Sequence, residues 1–141
     1  MHTATPIAGG KTCLRIISFY GCTNASRKRA ARLKNEELLT KLFSVLAELG
    51  DVPIVVLGDF NCNAQSSPAL EAALRSGVWF DAGDQWAACH GTEPDPTCFA
   101  TEDGPGSRID LALLNQQAIG PLRHFEVLAE TGIPQHRPLV V

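Results

Sequence analysis

Apolar residues change their spacing along the chain, and each change marks an element. Thr12 to Tyr20 (TCLRIISFY) is dense in β-branched and aromatic residues and predicts a strand. Gly21 to Ser26 follows as a polar turn containing Asn24. From about Arg27 the period lengthens. Leu39, Leu42, Phe43, Leu46 and Leu49 fall on one face of a helix that runs to Leu49. Gly50 ends it, where a residue with positive φ is wanted. Pro53 to Gly58 (PIVVLG) is a continuous apolar run between turn signals, the pattern of a central strand buried on both faces.

Beyond a polar loop from Asp59 to Ser67, Ser67-Pro68 supplies an N-cap and a proline at the first helical position. That helix runs to about Ser76, and Gly77 closes it. Val78 to Phe80 predicts a short strand, Trp86 to Pro96 a long loop, and Thr97 to Phe99 another brief strand. Glu102 to Ser107 (EDGPGS) reads as a turn. Arg108 to Leu114 (RIDLALL) alternates as a strand, and Phe125 to Leu128 and Leu139 to Val141 predict two more. Strands and helices alternate first and strands dominate later, so a mixed α/β layered fold follows, with helices covering a sheet.

At 141 residues the chain has the length of one domain. The net charge of −3 excludes a nucleic-acid binder that works by bulk positive charge. It leaves room for a local basic patch or for approach to phosphate through a metal ion. The longest apolar run, residues 52–57, is too short for a membrane span, which needs about 20 residues. No signal-peptide profile opens the chain. The five cysteines form no CxxC pair, which predicts a reduced, intracellular protein without a disulfide framework.

Three segments carry candidate chemistry. Asp59 and Asn61 sit two residues apart, directly after the buried strand, where α/β proteins place ligands. In extended geometry both point the same way, and Gly58 permits close backbone approach. The alternative is that they form a turn and cap backbone groups. Asp110 sits within an apolar strand, facing with Ala112 and Leu114, while Ile109, Leu111 and Leu113 face the other way. A carboxylate there needs a partner unless the strand is a solvated edge. His136, in Gln135-His136-Arg137-Pro138, is a loop residue at the surface or a base tuned by a carboxylate. Asp110 and His136 are the expected pair.

In this order, VVLGDFNCN, SRIDLALLN and the QHRPLVV ending resemble the motifs of the endonuclease/exonuclease/phosphatase superfamily, the DNase I-like phosphodiesterases and phosphatases. Tyr20 in IISFYGCTN resembles the tyrosine of that family's Y-x-P-N strand end, with Gly21-Cys22 between. The resemblance spans about residues 12–141. It implies a layered DNase I-like α/β sandwich, present as its C-terminal half, that binds Mg²⁺ or Mn²⁺ and hydrolyses phosphate esters, nucleic acid among them. Carried over by position, Asp59 would orient or deprotonate the attacking water, and Asn61 would hold a phosphate oxygen and, with Asp59, the metal. Tyr20 would donate to the phosphate, and His136, positioned by Asp110, would stabilise its developing charge.

Two departures accompany the resemblance. The family's early strands, with their metal-binding asparagine and glutamate, have no expected counterpart before Thr12. Residues 1–11 are expected to be a leader and 12–141 a partial domain. Gln135 stands where the family has an aspartate. The expected function is a truncated metal-dependent phosphodiester hydrolase. The alternative is a catalytically degenerate remnant serving as an interaction module. Either form is expected to self-associate or to require a missing N-terminal segment, since half a sandwich leaves a sheet face bare.

Arg27, Lys28, Arg29, Arg32 and Lys34 oppose the dipole of the long helix, and are expected to form a solvated end balanced by Glu36 and Glu37. Cys89, His90, Cys98 and His124 lack paired zinc spacing. The acidic stretch from Asp81 to Asp103 disfavours long duplex binding through that surface.

Overall fold

The computed structural model describes residues 2–6, 13–101, 104–129 and 132–141. Thr12 of the first expected strand, and Glu102 and Asp103 of the expected turn, lie outside them. A five-stranded mixed sheet forms the centre. Its strands are β1 (His2–Pro6), β2 (Cys13–Tyr20), β3 (Ile54–Asp59), β4 (Trp79–Asp81) and β7 (Asp110–Asn115), in the order β1-β2-β3-β7-β4. β3 runs parallel to β2, and the other pairs are antiparallel. The long helix between them, α1 (Arg29–Glu48), makes the crossover that a parallel pair requires.

The alternation expected of the strands sorts their side chains onto two cores. On one face Ile54, Val56, Leu111 and Leu113 pack under Leu39 and Leu46 of α1 and Leu70 of α2 (Pro68–Arg75). On the other, Val55, Ala112 and Leu114 pack with Ala82 of α3 (Ala82–His90), Ala118 of α4 (Gln116–Ile119) and Phe125. β3 is therefore the doubly covered central strand that its unbroken apolar run predicts. Ser67 caps α2 through Leu70 N–H at 3.3 Å. Gly50 and Gly77 take positive φ behind α1 and α2.

Two expectations are corrected. The stretch expected to be a leader holds β1, which pairs with β2 from His2↔Ile17 to Pro6↔Cys13. The expected loop from Trp86 opens inside α3. Asp81 accepts from Gly83 N–H at 2.9 Å at its start, and Gly91 ends it at φ 67°. Ionic bonds fix this start. Arg108 donates to Asp81 and also reaches Asp84 at 3.0 Å. Two small hairpins complete the fold, β5 (Cys98–Phe99) with β6 (Gly106–Ser107), and β8 (Glu126–Val127) with β9 (Leu139–Val140). No helix among the described residues is long and apolar enough to cross a membrane.

Candidate active site

The sheet register places the site. Tyr20 ends β2 opposite Asp59 of β3, and Asp59 stands opposite Asp110 of β7. Three adjacent strands thus present Tyr20, Asp59 and Asp110 in one lateral row at one end of the sheet. Asp110 shares the face of Ala112 and Leu114, as its alternation predicts. β7 lies between β3 and β4, so Asp110 is on no edge strand.

His136 reaches this row from the chain's last loop. Its Nδ1 lies 3.0 Å and 3.1 Å from the two Asp110 oxygens. A ring nitrogen facing a carboxylate is the donor, so Nδ1 carries the proton and Nε2 is left for other chemistry. The loop is clasped to β5. Cys98 and His136 form an isolated bridge, Phe99 N–H donates to Gln135 C=O at 2.7 Å, and Arg137 N–H donates to Thr97 C=O at 2.7 Å. The Arg137 guanidinium lies 4.0 Å over the Phe99 ring.

Thr97 is fully buried and ties this clasp to the acid. Its Oγ1 accepts from Ile109 N–H at 3.2 Å and Asp110 N–H at 3.0 Å. No role at the site was expected of Thr97 or Cys98. Cys98 Sγ lies 4.0 Å from His136 Nε2. Burial, then the charges of Asp110 and Asp59, push its thiol up, so it stays protonated.

Asp59 and Asn61 converge, but not through the extended geometry expected of them. Asn61 has φ 51°, and the segment turns. Its backbone N–H donates to Asp59 Oδ1 at 2.8 Å and its Nδ2 to Oδ2 at 2.9 Å. The turn and the site are therefore one structure. Asn61 Oδ1 accepts no hydrogen bond among the described residues. Burial raises the Asp59 carboxyl above its ordinary value; the Asn61 amide opposes this and the charge of Asp110 adds to it.

Asp59, Asn61 and His136 line a cavity of about 740 Å³ with Tyr20, Asn24 and Gln135. Asn24, Asn61 and Gln135 are the three non-glycine residues with positive φ among those described, and all three border it. Left-handed backbone at such residues costs energy and tends to gather at functional sites. The basic helix start is solvent-exposed as expected, though without ion pairs to Glu36 or Glu37 among the described residues. Arg27 and Arg32 border the cavity. Glu36 instead accepts from Ala69 N–H at 2.9 Å.

Donor atoms of Asp59, Asp110 and His136 lie within 4.8 Å of one another. Two carboxylates, one with its charge disfavoured by burial, and a carboxamide oxygen without a donor make an oxygen-rich set. Such a set fits a hard divalent cation such as Mg²⁺ or Mn²⁺.

Residues 8–131 match the sequence model of the Endonuclease/Exonuclease/phosphatase family. No curated protein sequence matches the chain significantly. Among solved structures, the catalytic domain of Xenopus laevis APE2 is similar at 18% identity and TM-score 0.63, over 98% of this chain and 52% of that one. Truncated Caenorhabditis elegans TDP2 is similar at 13% identity and TM-score 0.59, over 99% and 64%. A mannosyl-6-phosphatase of Bacteroides thetaiotaomicron is similar at 17% identity and TM-score 0.56, over 94% and 51%. At these identities the likeness is one of fold, the DNase I-like one, and the chain spans roughly half to two-thirds of each.

Proposed function

Because the chain belongs to the endonuclease/exonuclease/phosphatase family, we propose that it is a metal-dependent phosphodiester hydrolase of the nuclease and phosphatase type, acting in a reducing, intracellular setting. The observation that carries this reading is the row Tyr20–Asp59–Asp110 completed by His136, whose Nδ1 is 3.0 Å from Asp110.

A phosphate ester entering the cavity meets four groups. The exposed Tyr20 hydroxyl donates to one phosphate oxygen. Asn61 holds a second with the Nδ2 hydrogen released from Gly21 C=O, the longer of its two bonds at 3.3 Å. Asp59 orients the attacking water and takes its proton, the role of a general base. His136 Nε2 faces the developing charge. Donation from Nε2 while Nδ1 donates to Asp110 requires the imidazolium. Asp59 and Asn61 would hold Mg²⁺ or Mn²⁺, which when bound supplies charge neutralisation at the phosphate oxygens.

The test is hydrolysis of nucleic-acid and small phosphodiester substrates with Mg²⁺ or Mn²⁺, beside Asp59→Ala and His136→Ala. Activity that a chelator abolishes and both variants lose supports the reading. Equal activity in all three proteins is contamination and removes it. One observation favours the alternative, a degenerate fold serving as an interaction module. Gln135 borders the cavity where the family resemblance expects an aspartate, which leaves fewer anionic groups for the metal. Metal-independent inactivity of a well-folded chain would select that alternative.

A further inference from the structure

The site is assembled from two loops that leave different strands. Gly21-Cys22 follows Tyr20 at the end of β2, and Phe60 to Cys62 follows Asp59 at the end of β3. They meet directly: Gly21 N–H donates to Asp59 C=O at 2.7 Å, and Asn61 Nδ2 donates to Gly21 C=O at 3.3 Å. A Cβ at Gly21 would collide with the Phe60 carbonyl and with Asn35 Oδ1, so only glycine lets the loops approach this closely.

Asn35 of α1 lies between the two loops and is 1% exposed. Its Oδ1 accepts from Cys22 N–H at 2.7 Å, in the first loop. Its Nδ2 donates to Phe60 C=O at 3.0 Å and to Cys62 Sγ at 3.5 Å, in the second. Every side-chain bond of this residue therefore ends on a site loop, and the carboxamide spans both. Packing does not ask for a polar group here, since Leu39, one turn later on the same helix, is buried as an apolar residue. A buried carboxamide is costly unless it is bonded, so its bonds fix it firmly.

We propose that Asn35 is a positioning residue that holds the Gly21-Cys22 turn against Phe60 to Cys62, and so sets where Asn61 stands relative to the Tyr20–Asp59 pair that the sheet register fixes. This rests on the phosphate-ester reading, because that placement matters only if one phosphate is held from both sides. A rigid helix thereby holds the two loops in register. Displacing a group by about 1 Å is enough to cost roughly a hundredfold in rate.

The experiment compares Asn35→Leu, nearly isosteric and without either bonding arm, with Leu39→Ala. The second variant destabilises the same helix through the core alone. Both are studied at a temperature where circular dichroism shows them folded. Amide hydrogen exchange reads the loops directly, and kcat and KM on a small phosphodiester with Mn²⁺ read the site. Asn35→Leu is expected to speed exchange at Gly21, Cys22 and Asn61 together, by about tenfold or more. It is expected to lower kcat by at least about tenfold while Leu39→Ala changes neither. The proposal is overturned if Asn35→Leu behaves as Leu39→Ala does, or if only the Cys22 amide responds. Should the unaltered chain hydrolyse nothing, the phosphate-ester reading fails, and joint or separate exchange of the two loops still decides the role of Asn35.

Discussion

His136 Nδ1 lies 3.0 Å from Asp110 Oδ2, across 26 residues of sequence. The two are brought together by separate devices. Asp110 is held by the register of β7, and His136 by the clasp of its loop onto β5. The acid orients the ring and fixes which nitrogen carries the proton. Asp110→Asn keeps the shape and removes that control, and is expected to lower kcat by roughly 10²–10⁴-fold. Groups that act as a unit are not additive. The double variant Asp110→Asn, His136→Ala should therefore be no slower than His136→Ala alone in single-turnover hydrolysis. Multiplied losses would show the two acting separately.

Thr97 supports the same pair from behind. Its hydroxyl oxygen is the acceptor for the amides of Ile109 and Asp110, and it is fully buried. Thr97→Val preserves shape and strands those two donors, at a cost of about 1–3 kcal/mol. Thr97→Ser keeps the hydroxyl and is expected to recover most of the loss. Denaturant unfolding measures both. A valine variant as stable as the unaltered chain would mean that other acceptors take over these amides.

The parts of this fold that could be read from sequence are those whose signal is local. The unbroken apolar run before Asp59 announces a doubly covered strand. A lone carboxylate in RIDLALL announces a partner, and the partner is the histidine expected. α3 was obscured because Gly91, Pro94 and Pro96 punctuate the same stretch, though Asp81 as N-cap and Gly91 at φ 67° are its proper start and stop signals. Asn35 and Thr97 were illegible for a different reason. Their partners lie 12 to 27 residues away, and only tertiary packing decides whether a buried polar residue on a helix or strand reaches them. The basic helix start is solvated as its composition implies, but sequence proximity to Glu36 says nothing about where that side chain turns.

Gly58 sits beside the Tyr20–Asp59–Asp110 row at φ 151°, a conformation that side chains rarely adopt. A Cβ there would collide with the Phe19 carbonyl oxygen, on the neighbouring strand at the paired position. The obstacle is backbone within the parallel ladder, so it cannot turn aside as a side-chain tip would. Gly58→Ala is expected to destabilise the fold by about 2–3 kcal/mol or more and to displace Asp59, the next residue. Chemical denaturation gives the first effect, and loss of activity in the folded fraction gives the second. A neutral Gly58→Ala would mean that β2 and β3 can separate locally without cost.

Asp59 carries the electrostatic burden of the site. Burial lifts its carboxyl above the ordinary range, Asn61 opposes, and Asp110 adds to the lift. The folded chain therefore holds this proton more tightly than the unfolded chain does. The stability that this group contributes is fully present below the ordinary carboxylate value and is lost as pH rises through the raised folded value. Ionised Asp59 is thus a strain on the fold, which a cation bound there would offset. Asp59→Asn is expected to raise Tm at pH 7 in the presence of a chelator, and that advantage should shrink to nothing as the solution is acidified below the ordinary aspartate range. Added Mn²⁺ should raise the Tm of the unaltered chain and leave the variant unmoved. Calorimetry across pH, with and without the ion, reads all three arms. A Tm for Asp59→Asn below that of the unaltered chain at pH 7 would place the net stabilisation in the Asp59–Asn61 hydrogen bonds rather than in relief of charge.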